Sequence, residues 1–267
     1  MSLKSPKAIV EAASEAGLAK ARLSVGKTLL LSFMAGAYIA LGGVVAMIIG
    51  KDCPALAAAN PGLAKLLFAS VFPVGIIMAV INGAELFTGN TGIMLPSVLS
   101  GQITWRAMLC NWSLVYLGNL VGSLFVAYAL CYASGLIRSG HLGAAAVSIA
   151  ESKLSPSWGQ LLLRAIGCNW LVCLGIWIAM AADDVAGKVW GLWFPIMAFV
   201  AIGFEHSVAN MFFVPLGMLN GANVTVWQFL WHNLLPVTIG NIIGGSLLVG
   251  AAYWWVYARP VRSQTAD

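Results

Sequence analysis

The apolar positions of this chain fall into six long stretches, at roughly residues 28–50, 66–95, 106–134, 159–182, 189–219 and 228–257. A helix needs about 20 consecutive apolar residues to cross the hydrocarbon core of a bilayer. Each stretch therefore predicts one membrane span. The second and fifth are too long for one straight helix, and a polar motif interrupts each. The second reads Gly83-Ala84-Glu85-Leu86-Phe87-Thr88-Gly89-Asn90. The fifth reads Gly203-Phe204-Glu205-His206-Ser207-Val208-Ala209-Asn210. Irregular backbone at membrane depth survives only where protein or a water-filled cavity satisfies its polar groups. Spans two and five are thus predicted to be broken, and both breaks to line an interior.

Gly, Glu and Asn recur at the same spacing in the two motifs, 120 residues apart (205 − 85). The repeat extends further. Span three contains Gly118-Asn119-Leu120-Val121-Gly122, and span six contains Gly240-Asn241-Ile242-Ile243-Gly244. Asn111 precedes Asn119 by eight residues, as Asn233 precedes Asn241. Spans one and four share only a weak triple-leucine start, at Leu29 and Leu161. Each half holds three spans, an odd number, so the halves face opposite ways across the membrane. That is an inverted 3+3 repeat. Small residues permit close helix contact, and packing alone accounts for the second pair of motifs.

Composition narrows the class. The chain is 60% hydrophobic and 9% charged, with a mean hydropathy of +0.89. Soluble domains carry about 25% charged residues. The reading is an all-α membrane protein with no room for a soluble catalytic domain. Three regions are expected: an N-terminal interfacial helix within 1–27, a six-span domain over 28–257 and a tail over 258–267. Residues 5–24 mix Ile9 and Val10 with Lys7, Glu11, Glu15, Lys20 and Arg22, with Pro6 in the first turn. This composition suits a helix lying in the membrane interface. The N-terminus lacks a short apolar core with a cleavage site, so no cleaved signal peptide is expected.

Of the five cysteines, only Cys53 lies outside the apolar stretches. A cysteine in such a stretch is ordinarily a small packing residue, and no pair has metal-site spacing. Neither a disulfide framework, nor a metal centre, nor a cofactor is expected. The net charge of +5 is too diffuse to predict nucleic-acid binding. Its distribution orients the chain. With the N-terminus inside, nine Lys/Arg fall on the cytoplasmic side, Arg262 among them, against Lys51, Lys65, Arg138 and Lys153 outside. The positive-inside rule then puts both termini in the cytoplasm. Arg164, near the outer end of span four, runs against this and is expected to snorkel. Trp105, Trp158, Trp190, Trp227 and Trp254 stand near span ends, as an aromatic belt does.

An ionisable group inside a bilayer is costly and marks function by default. His206 is central to its span, and an unperturbed imidazole titrates at about 6.5. Ionised and facing a pore, Glu85 and Glu205 would repel anions. They are instead expected to accept from backbone N–H groups freed by the breaks, with Asn90, Asn210 and Asn169 doing similar work and Asn169 expected to touch the pore. Thr88 reads locally as a helix-break cap, with a hydroxyl able to bond His206. Lys153 sits in a short polar stretch with Glu151, Ser152 and Ser155, which reads as a solvated loop.

Three segments carry a resemblance to a known family: Glu85-Leu86-Phe87-Thr88, Asn169-Trp170-Leu171-Val172-Cys173-Leu174 and Gly203-Phe204-Glu205-His206-Ser207-Val208-Ala209-Asn210-Met211. Together, in this order, they resemble the formate/nitrite transporter family of bacterial and archaeal anion channels. The resemblance runs over all six spans. It implies an aquaporin-like fold, a homopentamer with one pore per subunit, and a place in the cell inner (cytoplasmic) membrane. It implies passage of small monovalent anions such as formate, nitrite or hydrosulfide, with proton coupling under some conditions. The family pattern puts the loop threonine at Thr88, the central histidine at His206, a span-four asparagine at Asn169 and an outer-vestibule lysine at Lys153. Its apolar constrictions match Phe72, Ile76, Leu86 and Phe199, where Ile76 stands for a common leucine.

Two other classes are weighed. A neutral-solute channel of aquaporin type lacks its Asn-Pro-Ala motif, since Asn60-Pro61 is followed by Gly62. A haem protein needs paired histidines at one depth, and only His206 is central. No nucleophile–base pair is readable, so no enzyme is expected.

Overall fold

The computed structural model describes residues 3–259. Arg262 and most of the expected tail over 258–267 lie outside the described residues. Among those described the chain is helical with no strand. The first half holds α1 (Pro6–Ala21), α2 (Val25–Lys51), the short α3 (Pro54–Ala59), α4 (Pro61–Val71), α5 (Val74–Ile81), α6 (Phe87–Leu99) and α7 (Trp105–Ala133). The second half holds α8 (Gly140–Leu154), α9 (Trp158–Ala181), α10 (Val185–Ile202), α11 (Ser207–Leu219) and α12 (Gln228–Tyr257). Among the described residues, six helical segments are long and apolar enough to cross a membrane. They match the six predicted spans. Spans two and five are broken as expected, after α5 and after α10.

Local sequence sets the helix ends. Ser5 caps α1 ahead of Pro6, and Thr104 accepts from Ala107 N–H at the start of α7. Ser157 and Gln160 form a reciprocal capping box at the start of α9. Asp184 accepts from Gly187 N–H at 2.7 Å at the start of α10. Such caps satisfy N–H groups that the first turn leaves free.

The small faces of spans three and six pack inside the protein. A Cβ on Gly118 or Gly122 would collide with Ser32 or Phe33 of α2. A Cβ on Gly240 or Gly244 would collide with Leu162 or Ile166 of α9. The same pair of positions therefore seats α7 on α2 and α12 on α9, as close packing through small residues does in membranes.

The expected N-terminal helix is present as α1. It is seated on the protein. Val10, Ala13, Ser14 and Gly17 are buried. A Cβ on Gly17 would collide with Ser97 of α6, and Ser97 Oγ donates to Ser14 O at 2.6 Å. Close helix contact and a buried hydroxyl bond hold α1 here, so headgroup lipid is not its only partner. The span-end tryptophans are mixed: Trp105, Trp158, Trp190 and Trp227 are exposed, while Trp254 donates to Ser100 Oγ.

The two ends of the described residues share one side. Lys7 of α1, Ser100 after α6, and Arg259 after α12 line one cavity. We call this the N side and the opposite face the far side.

Candidate functional site

Both breaks are built alike. Gly83 ends α5 with φ 70° and Gly203 follows α10 with φ 89°, a backbone that an L side chain adopts only at a cost. The chain then runs extended through Leu86 (φ −105°, ψ 122°) or His206 (φ −114°, ψ 119°) before α6 or α11 starts. The freed polar groups find matching partners. Phe87 N–H donates to Asn119 Oδ1 at 2.9 Å, and Asn119 Nδ2 donates to Glu85 O and Ser32 O. Ser207 N–H donates to Asn241 Oδ1 at 2.8 Å, and Asn241 Nδ2 donates to Glu205 O and Ala165 O. Asn119 and Asn241, in motifs that read from sequence as packing, thus splice both breaks as well.

The glutamates have different partners from those expected. Lys20 Nζ lies 2.6 Å from Glu85 Oε1, and Lys153 Nζ lies 3.0 Å from Glu205 Oε2. Asn90 Nδ2 donates to Glu85 at 2.7 Å and to Asn111 Oδ1 at 2.9 Å. Asn210 Nδ2 donates to Glu205 and to Asn233 Oδ1, both at 2.8 Å. So the carboxylates accept from lysine and asparagine side chains, while Asn119 and Asn241 take the freed N–H groups. Buried charge is tolerated when it is paired and its other lone pairs are bonded. Glu85 meets both conditions, bonded at both oxygens, and Glu205 is paired through Oε2.

Lys153 is not in a loop. It ends α8, in the last turn of a helix whose Gly143, Ala146 and Ala150 are buried. Lys20 occupies the same place in α1. The two helices are counterparts 133 residues apart (153 − 20), and this spacing continues into the spans. Glu85 N–H donates to Leu31 O and Glu205 N–H donates to Arg164 O (164 − 31 = 133). Asn119 bonds Ser32 O and Asn241 bonds Ala165 O (165 − 32 = 133). The triple-leucine alignment, at 132, was therefore one residue out of register, and each half begins with a lysine-ended helix.

The breaks meet at His206 and Thr88. His206 Nε2 lies 3.1 Å from Thr88 Oγ1, and both residues are buried. Ala209 N–H donates to His206 Nδ1 at 3.1 Å, so His206 also caps α11. A neutral imidazole with an accepting Nδ1 carries its proton on Nε2. Nε2–H then donates to Thr88 Oγ1, which leaves the threonine hydroxyl hydrogen available to a third partner. The His206 ring stacks on Phe199 with centroids 5.8 Å apart, and Phe199 meets Phe72 edge-on at 6.1 Å.

Two vestibules flank this junction. The N-side one, about 440 Å³, is lined by Lys20, Leu86, Gly89, Asn90, Ile176 and Lys188 among others. The far-side one, about 320 Å³, is lined by Phe68, Phe72, Lys153, Phe199, Glu205 and His206 among others. No residue lines both. Phe72, Phe199 and His206 line the far-side vestibule and Leu86 the N-side one, and Thr88 lines neither. Ile76 is buried and lines neither mouth, and neither does Asn169. Asn169 Nδ2 instead donates to Thr88 O at 3.1 Å, Thr91 Oγ1 at 2.8 Å and Asn241 O at 2.6 Å. It braces the start of α6 from behind.

The residues missed from sequence were Lys20 and Thr91. The signal for Lys20 was its distance from the first span, which equals that of Lys153 from the fourth: eleven residues to Leu31 and eleven to Arg164.

With this geometry in hand, the likeness to known proteins is direct. A family model described as formate/nitrite transporter matches residues 7–255. The chain belongs to the formate/nitrite transporter family. It is 45% identical to a probable formate transporter of Methanothermobacter thermautotrophicus, over 97% of this chain and 98% of that one. A solved FNT family ion channel superposes with a TM-score of 0.85 at 32% identity, over 94% of this chain and 99% of that one. A pentameric formate channel with formate bound superposes with a TM-score of 0.76 at 33% identity, over 88% and 98% of the two chains. This family member is a multi-pass membrane transport protein, not an enzyme. Membership does not favour the neutral-solute alternative.

Proposed function

We propose that this protein passes small monovalent anions, formate foremost, across the cell inner membrane, with proton coupling through His206. The observation behind this reading is the meeting of the two breaks, where one imidazole bonds one hydroxyl between two cation-bearing vestibules. An anion leaving water for this layer loses hydration, at a cost of many kcal/mol unless offset. His206 Nε2–H and the Thr88 hydroxyl are donors at the driest point. Formate becomes a neutral acid on gaining a proton, and a neutral acid crosses the Phe72, Phe199 and Leu86 layer more easily. Ile76 backs that layer, and Asn169 fixes the height of Thr88. Nitrite and hydrosulfide are also small monovalent anions with neutral conjugate acids and are the same-family alternatives.

The N side is assigned to the cytoplasm. Among described residues it carries eight Lys/Arg against five on the far side, which agrees with the positive-inside rule. Assembly as a homopentamer is extended to this chain from the similar solved channel. The deciding experiment is flux into proteoliposomes of formate, nitrite, hydrosulfide, acetate and chloride at about pH 7.5 and 5, either side of the ordinary histidine value. Formate or nitrite flux well above chloride, with a change between the two pH values, is expected. Equal flux of glycerol and no anion selectivity would overturn the reading.

A further inference from the structure

Lys153 is the lysine that family resemblance puts in the outer mouth, yet its charge is already engaged. Its ammonium sits 3.0 Å from Glu205, and its side chain is only 15% exposed. An opposite charge at this distance cancels most of its long-range pull on an anion. The far-side vestibule nevertheless has three other cations in its wall: Lys51 at the end of α2, Lys65 on α4 and Arg164 on α9. All three are exposed, and none forms an ion pair or hydrogen bond through its side chain among the described residues. Lys51 lies over the Phe68 ring, 5.8 Å from its centroid. The nearest acids in sequence are Asp52 and Glu151. Neither lines the vestibule, and Glu151 accepts from Asn223 N–H. The N-side vestibule is different. Of its two cations, Lys20 is bound to Glu85, which leaves Lys188.

Arg164 stands apart from the two lysines. Its carbonyl accepts from Glu205 N–H, which fixes its backbone at the level of the break. Its counterpart in the first half is Leu31, which does not line the N-side vestibule (164 − 31 = 133). A guanidinium presents two parallel N–H groups, which match the two oxygens of a planar anion and not a sphere.

We infer that Arg164, with Lys51 and Lys65, forms a collecting site for small planar oxyanions at the far-side mouth, with Arg164 its specificity-determining residue. The inference rests on the anion-transport reading and adds where the anion is first held and what it must look like. Capture from the far side then saturates at lower concentration than capture from the N side. The preference for formate or nitrite over chloride arises partly at this mouth, before the histidine is reached.

The test uses the full-length protein with ¹³C-formate. At about 10 mM ionic strength the Debye length is about 30 Å, so the mouth's field is fully felt. Arg164→Gln is expected to raise the formate concentration for half-maximal flux roughly 3- to 10-fold, at unchanged maximal flux. Arg164→Lys is expected to restore most of the capture but not the preference for formate over chloride in competition. Lys65→Gln is expected to show a smaller version of the first effect, and Arg106→Gln, outside both vestibules, none. Half-saturation unchanged in Arg164→Gln overturns the inference, and so does full recovery of formate preference in Arg164→Lys. Formate line-broadening by NMR in detergent separates the two readings. If the wild type carries no formate but broadens its signal and Arg164→Gln does not, the site stands and the transport reading falls.

Discussion

The two breaks share a frame and differ in what the frame presents. In both, a lysine at the end of a helix grips the glutamate, an asparagine five residues after the glutamate bonds that carboxylate, and an asparagine from the following span splices the freed backbone. The side chains at the junction do not repeat. Leu86 stands where the second half has His206, and Thr88 stands where it has Val208, each at a spacing of 120. Leu86 caps nothing, whereas His206 accepts from Ala209 N–H and reaches Thr88. Symmetry is kept where a buried polar group needs a partner and is given up at the junction, where we propose that the anion passes. If that division is right, damage to the frame should be felt equally in both halves as stability, and damage at the junction should be felt as transport.

The largest effect is expected from splitting the ion pairs. Lys20→Met and Lys153→Met each leave a buried carboxylate with no cation. Breaking one partner of a buried pair costs roughly 3–5 kcal/mol. Both variants should therefore lower the unfolding midpoint in detergent by similar amounts, and the double change Lys153→Met/Glu205→Gln should recover much of the loss. If Lys153→Met were harmless while Lys20→Met unfolded the protein, the two frames would not be equivalent.

Next in size are changes at the junction, where folding should survive. His206→Phe keeps an aromatic ring on Phe199 and removes both nitrogens. It is expected to abolish the pH response of formate flux between about pH 7.5 and 5 and to alter anion preference. His206→Asn keeps a donor that does not titrate in this range, so it should conduct with little pH dependence. Wild-type rate and pH profile in His206→Phe, at equal amounts of assembled protein, would reduce the histidine to packing. Thr88→Val installs the residue of the other half. It deletes the acceptor for His206 Nε2–H and a donor to the anion. One hydrogen bond is worth about 0.5–1.5 kcal/mol net, so flux should fall up to about tenfold with stability little changed.

The same division explains what was legible in the chain. Six spans, two breaks and the Glu and Asn spacings all leave a one-dimensional mark, because membrane burial forces long apolar runs and makes every polar letter conspicuous. The lysine–glutamate pairing left only the equal spacing of Lys20 and Lys153 ahead of Leu31 and Arg164. Lys20 and Lys153 stand 65 and 52 residues from their partners, in polar stretches that look like any solvated segment. Only the backbone places them at the breaks. Asn169 shows the opposite case: its position in a motif was plain, but its three acceptors belong to α6 and α12, so the direction it faces was not. The 133-residue register between α1–α2 and α8–α9 was hidden for a related reason. It is carried by backbone carbonyls at Leu31, Ser32, Arg164 and Ala165, and a carbonyl bond does not constrain the side chain that bears it.

The smallest effect should come from a direct bond between counterpart residues of the two halves. Tyr116 and Thr238 are 122 residues apart, as are Asn119 and Asn241, so they occupy matching positions in spans three and six. Their hydroxyls meet at 2.8 Å. A contact between matching positions lies where the two halves exchange, on the line about which the repeat turns. Tyr116 also packs edge-on against Phe87, the first residue of α6, with centroids 4.9 Å apart. Tyr116→Phe removes the hydroxyl and keeps that ring contact. Thr238, only partly buried, then loses one partner out of one. Measured interhelical hydrogen bonds in membranes average about 0.6 kcal/mol, so the unfolding midpoint should shift by no more than a degree or two. Formate flux and its pH profile should not change, because neither residue lines a vestibule. Thr238→Val should match Tyr116→Phe, and the double variant should be no worse than either single one, since all three delete the same bond. A transport defect in Tyr116→Phe at normal stability would mean that the seam between the halves moves during passage, and that frame and pathway are not separable.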